Sequence, residues 1–222
     1  MPHCRKHRNF SKKRLLHWRA IIYNVVYAVV YAFTTQIRDR IVSLTNATSD
    51  SKILDVATGA GKQAFAFARR RYDVVGIDSS ARVLKEAADV REKNCCENVH
   101  FEIADAARMP FEDDRFDVSC ISFALHEMPP LIRKTVIEKM RRVAKPNSTI
   151  IIADFLLPKN RFCRRVFCHY IKLCKSRYYP EFVLSELEAS LKNMGIEVKE
   201  SSSLPMGVGK ILKGVNQKNF PS

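Results

Sequence analysis

ILDVATGAGKQAFAFA, residues 53–68, is the stretch whose reading decides the fold. Its first half belongs to an apolar run, Lys52–Ala57, that ends in small residues and reads as a strand. Its second half, from Lys62, has the small and apolar spacing of a helix. Between them stand Gly59 and Gly61, which let the backbone turn tightly and approach a ligand with no Cβ in the way. Strand, glycine turn and helix in that order predict a crevice above the carboxyl end of the strand, with the helix starting at its edge. Asp55 is the odd residue. A carboxylate inside an apolar strand is costly unless something pairs with it, and a cationic ligand in the crevice would explain it.

The alternation continues on the carboxyl side. Asp73–Asp78, Val99–Ala104, Phe116–Phe123 and Thr149–Leu157 read as further strands, the last apolar throughout as a central parallel strand should be. Helical patterns fill 62–71, 80–93 and 131–144, and the prolines 110, 129, 146 and 158 fall between elements. Ser185 and Glu188 have capping-box spacing for a helix that runs to Met194 and stops at Gly195. Ile196–Ser201 and Val208–Val215 close the pattern as two more strands. The predicted fold class is α/β: a Rossmann-like, doubly wound sheet of about seven strands, mostly parallel with an antiparallel last strand, and helices on both faces. Four stretches follow: a basic and apolar N-terminal segment (1–45), the core (46–158), a basic aromatic helical insert (159–180), and a closing helix with strands (181–222).

Two chemistries compete for the glycine turn. Gly59-x-Gly61-x-x-Ala64 formally fits a dinucleotide fingerprint, and Asp78 lies 19 residues after Gly59, where a ribose-binding acid would stand. That reading implies a nicotinamide oxidoreductase but leaves Asp55 next to a pyrophosphate. A phosphate-binding P-loop is excluded, because Lys62 is followed by Gln63 and no glycine stands five residues before Gly61.

The motifs taken together favour another ligand. DVATGAGK resembles motif I of class I S-adenosylmethionine methyltransferases, and its Ala-Thr before the glycines is similar to the ubiquinone and menaquinone biosynthesis methyltransferases. VVGIDSS (74–80), DAARMPFEDDRFDVS (105–119) and RRVAKPNSTIIIADF (141–155) resemble the later blocks of the same family. The resemblance covers 50–157 well and 181–215 loosely. It implies a cofactor, S-adenosylmethionine, held by Asp55, Ala57, Thr58, Gly59 and Gly61, with Asp78 and Ser79 at the ribose and Asp105 and Ala106 at the adenine. Ser122 and Phe123 are expected to line the same crevice. Ala57 departs from the family's usual glycine, and Ala60 from its usual threonine. His126 and Glu127 follow the fourth strand, and His126 is the candidate base or acceptor contact.

The acceptor is a matter of charge. The chain has 222 residues and a net charge of +15. Residues 1–38 hold eight Lys/Arg and no acid, and residues 159–177 hold seven and no acid. These fifteen equal the whole excess, so a neutral core carries two basic segments, both rich in aromatic residues. An anionic membrane surface covering a lipid or small-molecule acceptor suits them; RNA is the alternative. The apolar stretch 20–33 is too short for the roughly 20 residues of a spanning helix. It resembles a signal peptide without a clean cleavage site. Seven cysteines in no framework point to reduced thiols and a cytoplasmic protein, peripheral on the inner membrane face. Cys163, Cys168, His169 and Cys174 fit no zinc spacing, so no metal is expected.

Overall fold

The computed structural model describes residues 35–156, 160–161, 165, 177–204, 207 and 209–218. Residues 1–40 form one unit and 41–222 another. Of the first unit, residues 35–40 are described and are helical. The apolar stretch 20–33 and nearly all of the two basic segments lie outside the described residues, as do Cys163, Cys168, His169 and Cys174. Among the described residues, no helix is long and apolar enough to cross a membrane.

The second unit is built on the predicted alternation. In chain order it contains β1 (Lys52–Val56), α1 (Lys62–Ala68), β2 (Asp73–Asp78), α2 (Ala81–Lys93), β3 (Val99–Ile103), β4 (Phe116–Ser122), α3 (Pro130–Val143) and β5 (Ala144–Phe155). Two short helices, α4 (Tyr179–Leu184) and α5 (Leu187–Asn193), precede β6 (Ile196–Ser203) and β7 (Gly209–Asn216). The seven strands lie in the order β3-β2-β1-β4-β5-β7-β6. Strands β1 to β5 pair in parallel, and β7 runs antiparallel to both β5 and β6. From β1 the chain winds outward to β3 and then crosses to β4 on the other side. The switch point therefore lies between β1 and β4, and the crevice above it is where such sheets take ligands.

One face of the sheet, with Leu54, Val56, Val75, Ile77, Ile121, Ile150 and Ile152, packs in a single cluster with Val136, Ile137, Met140 and Val143 of α3. These α3 positions follow helical spacing, so burial of this stripe and the pleat of β1, β4 and β5 specify each other.

Three departures from the sequence reading have a clear physical reason. Strand β5 begins at Ala144, not Thr149. Ala144 pairs with Phe116, the chain then bulges through residues 145–148 with Asn147 at φ 60°, and the ladder resumes at Thr149 against Val118. Pro146 thus sits inside the element, in the bulge, where its missing N–H is not needed. The first helix ends at Ala68 instead of Arg71, which turns with φ 65°. The capping box does not form: the Ser185 hydroxyl donates back to the Phe182 carbonyl (2.6 Å) and closes α4, while Glu188 pairs with Lys210 at 2.5 Å. Gly195, at φ 73°, ends α5 as predicted.

One buried side chain ties the last strand to the middle of the sheet. The Asn216 amide, fully buried, donates to the carbonyls of Arg141 (2.9 Å), Ala144 (2.9 Å) and Lys145 (3.0 Å), where α3 passes into β5. Asn216→Ala strands these carbonyls, and the expected loss is about 1–3 kcal/mol of unfolding free energy, read from urea denaturation.

Candidate functional site

The loop between β1 and α1 is held in an unusual backbone conformation. Ala57, Gly59 and Gly61 have φ of 53°, 55° and 74°. Two are glycines for which this is free; Ala57 bears a strain of about 1–2 kcal/mol. Gly61 also has no room for a side chain, since a Cβ there would lie 2.6 Å from Cζ of Phe101. The Thr58 amide donates to the Ile77 carbonyl (2.9 Å), and the Gly61 amide to the Thr58 carbonyl (3.0 Å).

Asp78, at the end of β2, fastens this loop to the neighbouring strand. One carboxylate oxygen accepts from the Gly59 amide (3.0 Å) and the other from the Ser80 amide (2.9 Å). A carboxylate has about four lone-pair sites, so two remain for hydroxyl donors in the crevice. The Gly59 N–H, which a dinucleotide fold would offer to pyrophosphate, is already spent on a carboxylate.

Asp55 sits beneath the loop rather than at its surface. It has no exposed area, and the Thr58 hydroxyl donates to its Oδ2 at 2.5 Å. Burial pushes its pKa up from 3.8 to about 7; the Thr58 hydroxyl and the Ala64 backbone amide pull it down, and the negative Asp78 adds a small push upward. Its part in the loop is thus to hold Thr58 and the first turn of α1.

The other predicted residues stand around the same edge. Ser79 is exposed and follows Asp78. Asp105 is exposed, and its side chain accepts from the Ala107 amide (2.8 Å), capping a short 3-10 turn that starts at the half-buried Ala106. Ser122 and Phe123 are half-buried at the end of β4, and Phe123 has φ 55°, a strained value for an aromatic residue. Its amide donates to the Ala153 carbonyl at 2.7 Å.

His126 is 8% exposed, and its environment contains a residue that the sequence reading passed over. Asp154, near the end of β5 and 3% exposed, lies 2.7 Å from His126 Nδ1 and accepts from the His126 backbone amide at 3.2 Å. When Nδ1–H donates to this carboxylate, the neutral ring carries its lone pair on Nε2. Nε2 lies 3.8 Å from the Glu127 carboxylate. Phe155, Tyr179 and Phe182 surround the ring at centroid distances of 5.1, 6.0 and 6.5 Å. The buried Arg133 secures the loop by donating to the Leu125 (3.3 Å) and Met128 (3.1 Å) carbonyls. Asp154 carries the same sequence signal as Asp55, a carboxylate in an apolar run. Arg133, in an amphipathic helix, carries no such signal.

The raised pKa of Asp55 makes stability depend on pH. Between about 3.8 and 7 the folded state holds a proton that the unfolded state has released, so unfolding free energy falls as pH rises through this window. From pH 5 to 8 the wild type is expected to lose about 2–3 kcal/mol more than Asp55→Asn, read from urea midpoints at the two pH values. Equal pH dependence in the two proteins would contradict this.

Comparison with known proteins agrees with this geometry. Residues 47–201 match the family model described as a methyltransferase domain. The demethylmenaquinone methyltransferase of Thermotoga maritima is 31% identical over 145 residues, 64% of this chain and 60% of that protein. The uncharacterized methyltransferase YcgJ of Bacillus subtilis is 28% identical over 141 residues, again 64% of this chain and 55% of that one. The chain thus spans little more than half the length of these curated relatives. The crystal structure of a SAM-dependent methyltransferase from Aquifex aeolicus superposes with a TM-score of 0.65 at 20% identity, over 81% of this chain and 89% of that one, which establishes the shared fold. With the model matching most of the chain, the protein belongs to the methyltransferase-domain family.

Proposed function

We propose that this chain transfers a methyl group from S-adenosylmethionine to a small or lipophilic acceptor of the quinone-precursor type. One observation carries the reading: at the switch point of the sheet, the Gly59 amide is spent on the Asp78 carboxylate, so the loop suits a cationic, hydroxyl-bearing nucleoside and not a pyrophosphate. Family membership supports the cofactor, and the quinone-type acceptor is taken from relatives such as the Thermotoga maritima enzyme.

When bound, S-adenosylmethionine supplies a methyl group on a sulfonium whose leaving group is a neutral thioether. The chain's own residues bind, orient and exclude water. Asp55 keeps Thr58 and the loop in place, and Ala57, Thr58, Gly59 and Gly61 present bare backbone to the ligand. The remaining lone pairs of Asp78 receive the ribose hydroxyls beside Ser79, while Asp105 and Ala106 mark the adenine end and Ser122 the far wall. For an acceptor that loses a proton, His126 takes it at Nε2, with Asp154 fixing the tautomer and balancing the imidazolium. Residues 46–158 form the cofactor-binding core in this reading, and 181–222 complete the sheet. The basic segments 1–38 and 159–177 bring the protein to an anionic membrane surface from the cytoplasmic side, where a lipophilic acceptor is found.

The test is incubation with methyl-labelled S-adenosylmethionine and fractionated cell extract. Label in the lipid or quinone fraction supports the proposal, and label in RNA replaces its acceptor class. Asp78→Ala is expected to weaken S-adenosylmethionine binding about tenfold or more in calorimetry. His126→Ala is expected to leave that affinity intact and lower turnover on the order of a hundredfold. Replacing the seven bases of 159–177 by Gln is expected to release the chain from anionic vesicles in co-sedimentation; unchanged binding would remove the membrane part alone.

A further inference from the structure

Beside the carboxyl end of β5 lies a hollow that nothing described so far employs. Its volume is about 380 Å³, within the roughly 300–1,000 Å³ of small-molecule pockets. Its floor is the sheet. Ile152 and Asp154, two residues apart on β5, share a face, and their register partners on β7 are Leu212 and Lys210. Phe182 of α4 and Leu187 and Ala189 of α5 form its walls. Packed interiors leave few voids larger than a water molecule, so a hollow of this size is no packing defect. Among the described residues, its lining includes none of the glycine loop, nor Asp78 or Asp105, so it is separate from the proposed cofactor crevice.

The chemistry of the occupant follows from what the lining offers. Its polar side chains are mostly taken. Asp154 lies 2.7 Å from His126 Nδ1 and accepts from the backbone amides of His126 (3.2 Å) and Phe155 (2.7 Å). Ser185 donates to the Phe182 carbonyl, Lys210 pairs with Glu188, and Glu186 is exposed to water. What remains for a ligand is mainly hydrocarbon. Such walls favour an apolar group leaving water and offer little to a phosphate or a sugar. The place of the hollow says which molecule brings that group. Asp154 holds His126, and Phe155 and Phe182 both line the hollow and flank the His126 ring. An acceptor that presents its reacting atom to His126 therefore has the rest of its body beside the hollow.

We propose that this hollow binds the apolar chain of a lipophilic methyl acceptor, with Leu187 and Ala189 as specificity residues for that chain. This rests on the methyl-transfer reading.

The experiment is equilibrium dialysis of the full chain, with S-adenosylhomocysteine present, against para-octylphenol and against para-ethylphenol, which has the same ring and a short chain. The wild type is expected to bind octylphenol about tenfold more tightly or better. Ala189→Trp, at an exposed helix position, fills the hollow, and Leu187→Gln puts an amide into it. Each is expected to lose that preference, weakening octylphenol binding about tenfold or more, and to bind ethylphenol and S-adenosylhomocysteine as the wild type does. The two act by different means, so one serves if the other disturbs folding. Octylphenol affinity unchanged in both variants, equal losses for both phenols, or a wild type without the preference would overturn the assignment. A wild type that shows the preference, loses it in the variants and binds no S-adenosylhomocysteine would instead overturn the methyl-transfer reading and leave the apolar chamber standing.

Discussion

The Asp78 carboxylate holds two backbone amides at once, and the architecture of the site depends on that grip. One amide belongs to Gly59 in the β1–α1 loop and the other to Ser80 at the start of α2. A single side chain at the tip of β2 therefore sets the height of the glycine loop and the direction in which the chain leaves the strand. The grip requires β1 and β2 to lie side by side in parallel register, which the pairing of Val56 with Ile77 provides. It also requires the loop to curl with positive φ, which explains the glycines and makes Ala57 a point of strain. With the Gly59 N–H taken by this carboxylate, that donor is not offered to a phosphate, while the remaining lone pairs of Asp78 suit hydroxyls.

The polar groups beneath the loop add cost to this arrangement rather than strength. Asp55 is fully buried and partly protonated near neutral pH, and its Oδ1 is unmatched. His126 and Asp154 are nearly sealed by Phe155, Tyr179 and Phe182 on the other side of the switch point. Apolar residues in these places would make a more stable sheet. Such costs concentrate at the carboxyl ends of β1, β4 and β5, while the apolar cluster between α3 and the sheet supplies the burial that offsets them.

The fold was legible in sequence because its signals are local. Short continuous apolar runs, glycine at the first turn and helical spacing in α3 each specify an element without distant help. What was not legible depends on contacts between distant residues. Ser185 and Glu188 have capping-box spacing, yet the hydroxyl closes the preceding helix and the carboxylate reaches Lys210, 22 residues away. Pro146 reads as a break between elements, but the chain bulges there and the ladder resumes beyond it, with Lys145 meeting Asp117 at 2.6 Å. At the site, the acids and glycines were visible as residues out of place in apolar runs. Their partners were not: sequence spacing says nothing of Asp154 reaching His126 across two strand ends, nor that Asp55 faces Thr58 and not open crevice.

The central claim is that the glycine loop, with Asp78 across it, receives a positively charged nucleoside. Parallel equilibrium dialysis of the full chain against S-adenosylmethionine and against the reduced and oxidised nicotinamide dinucleotides tests it most directly. Saturable binding of one S-adenosylmethionine per chain, with neither dinucleotide retained, is the result the account predicts. Retention of a dinucleotide, with S-adenosylmethionine excluded, would contradict it.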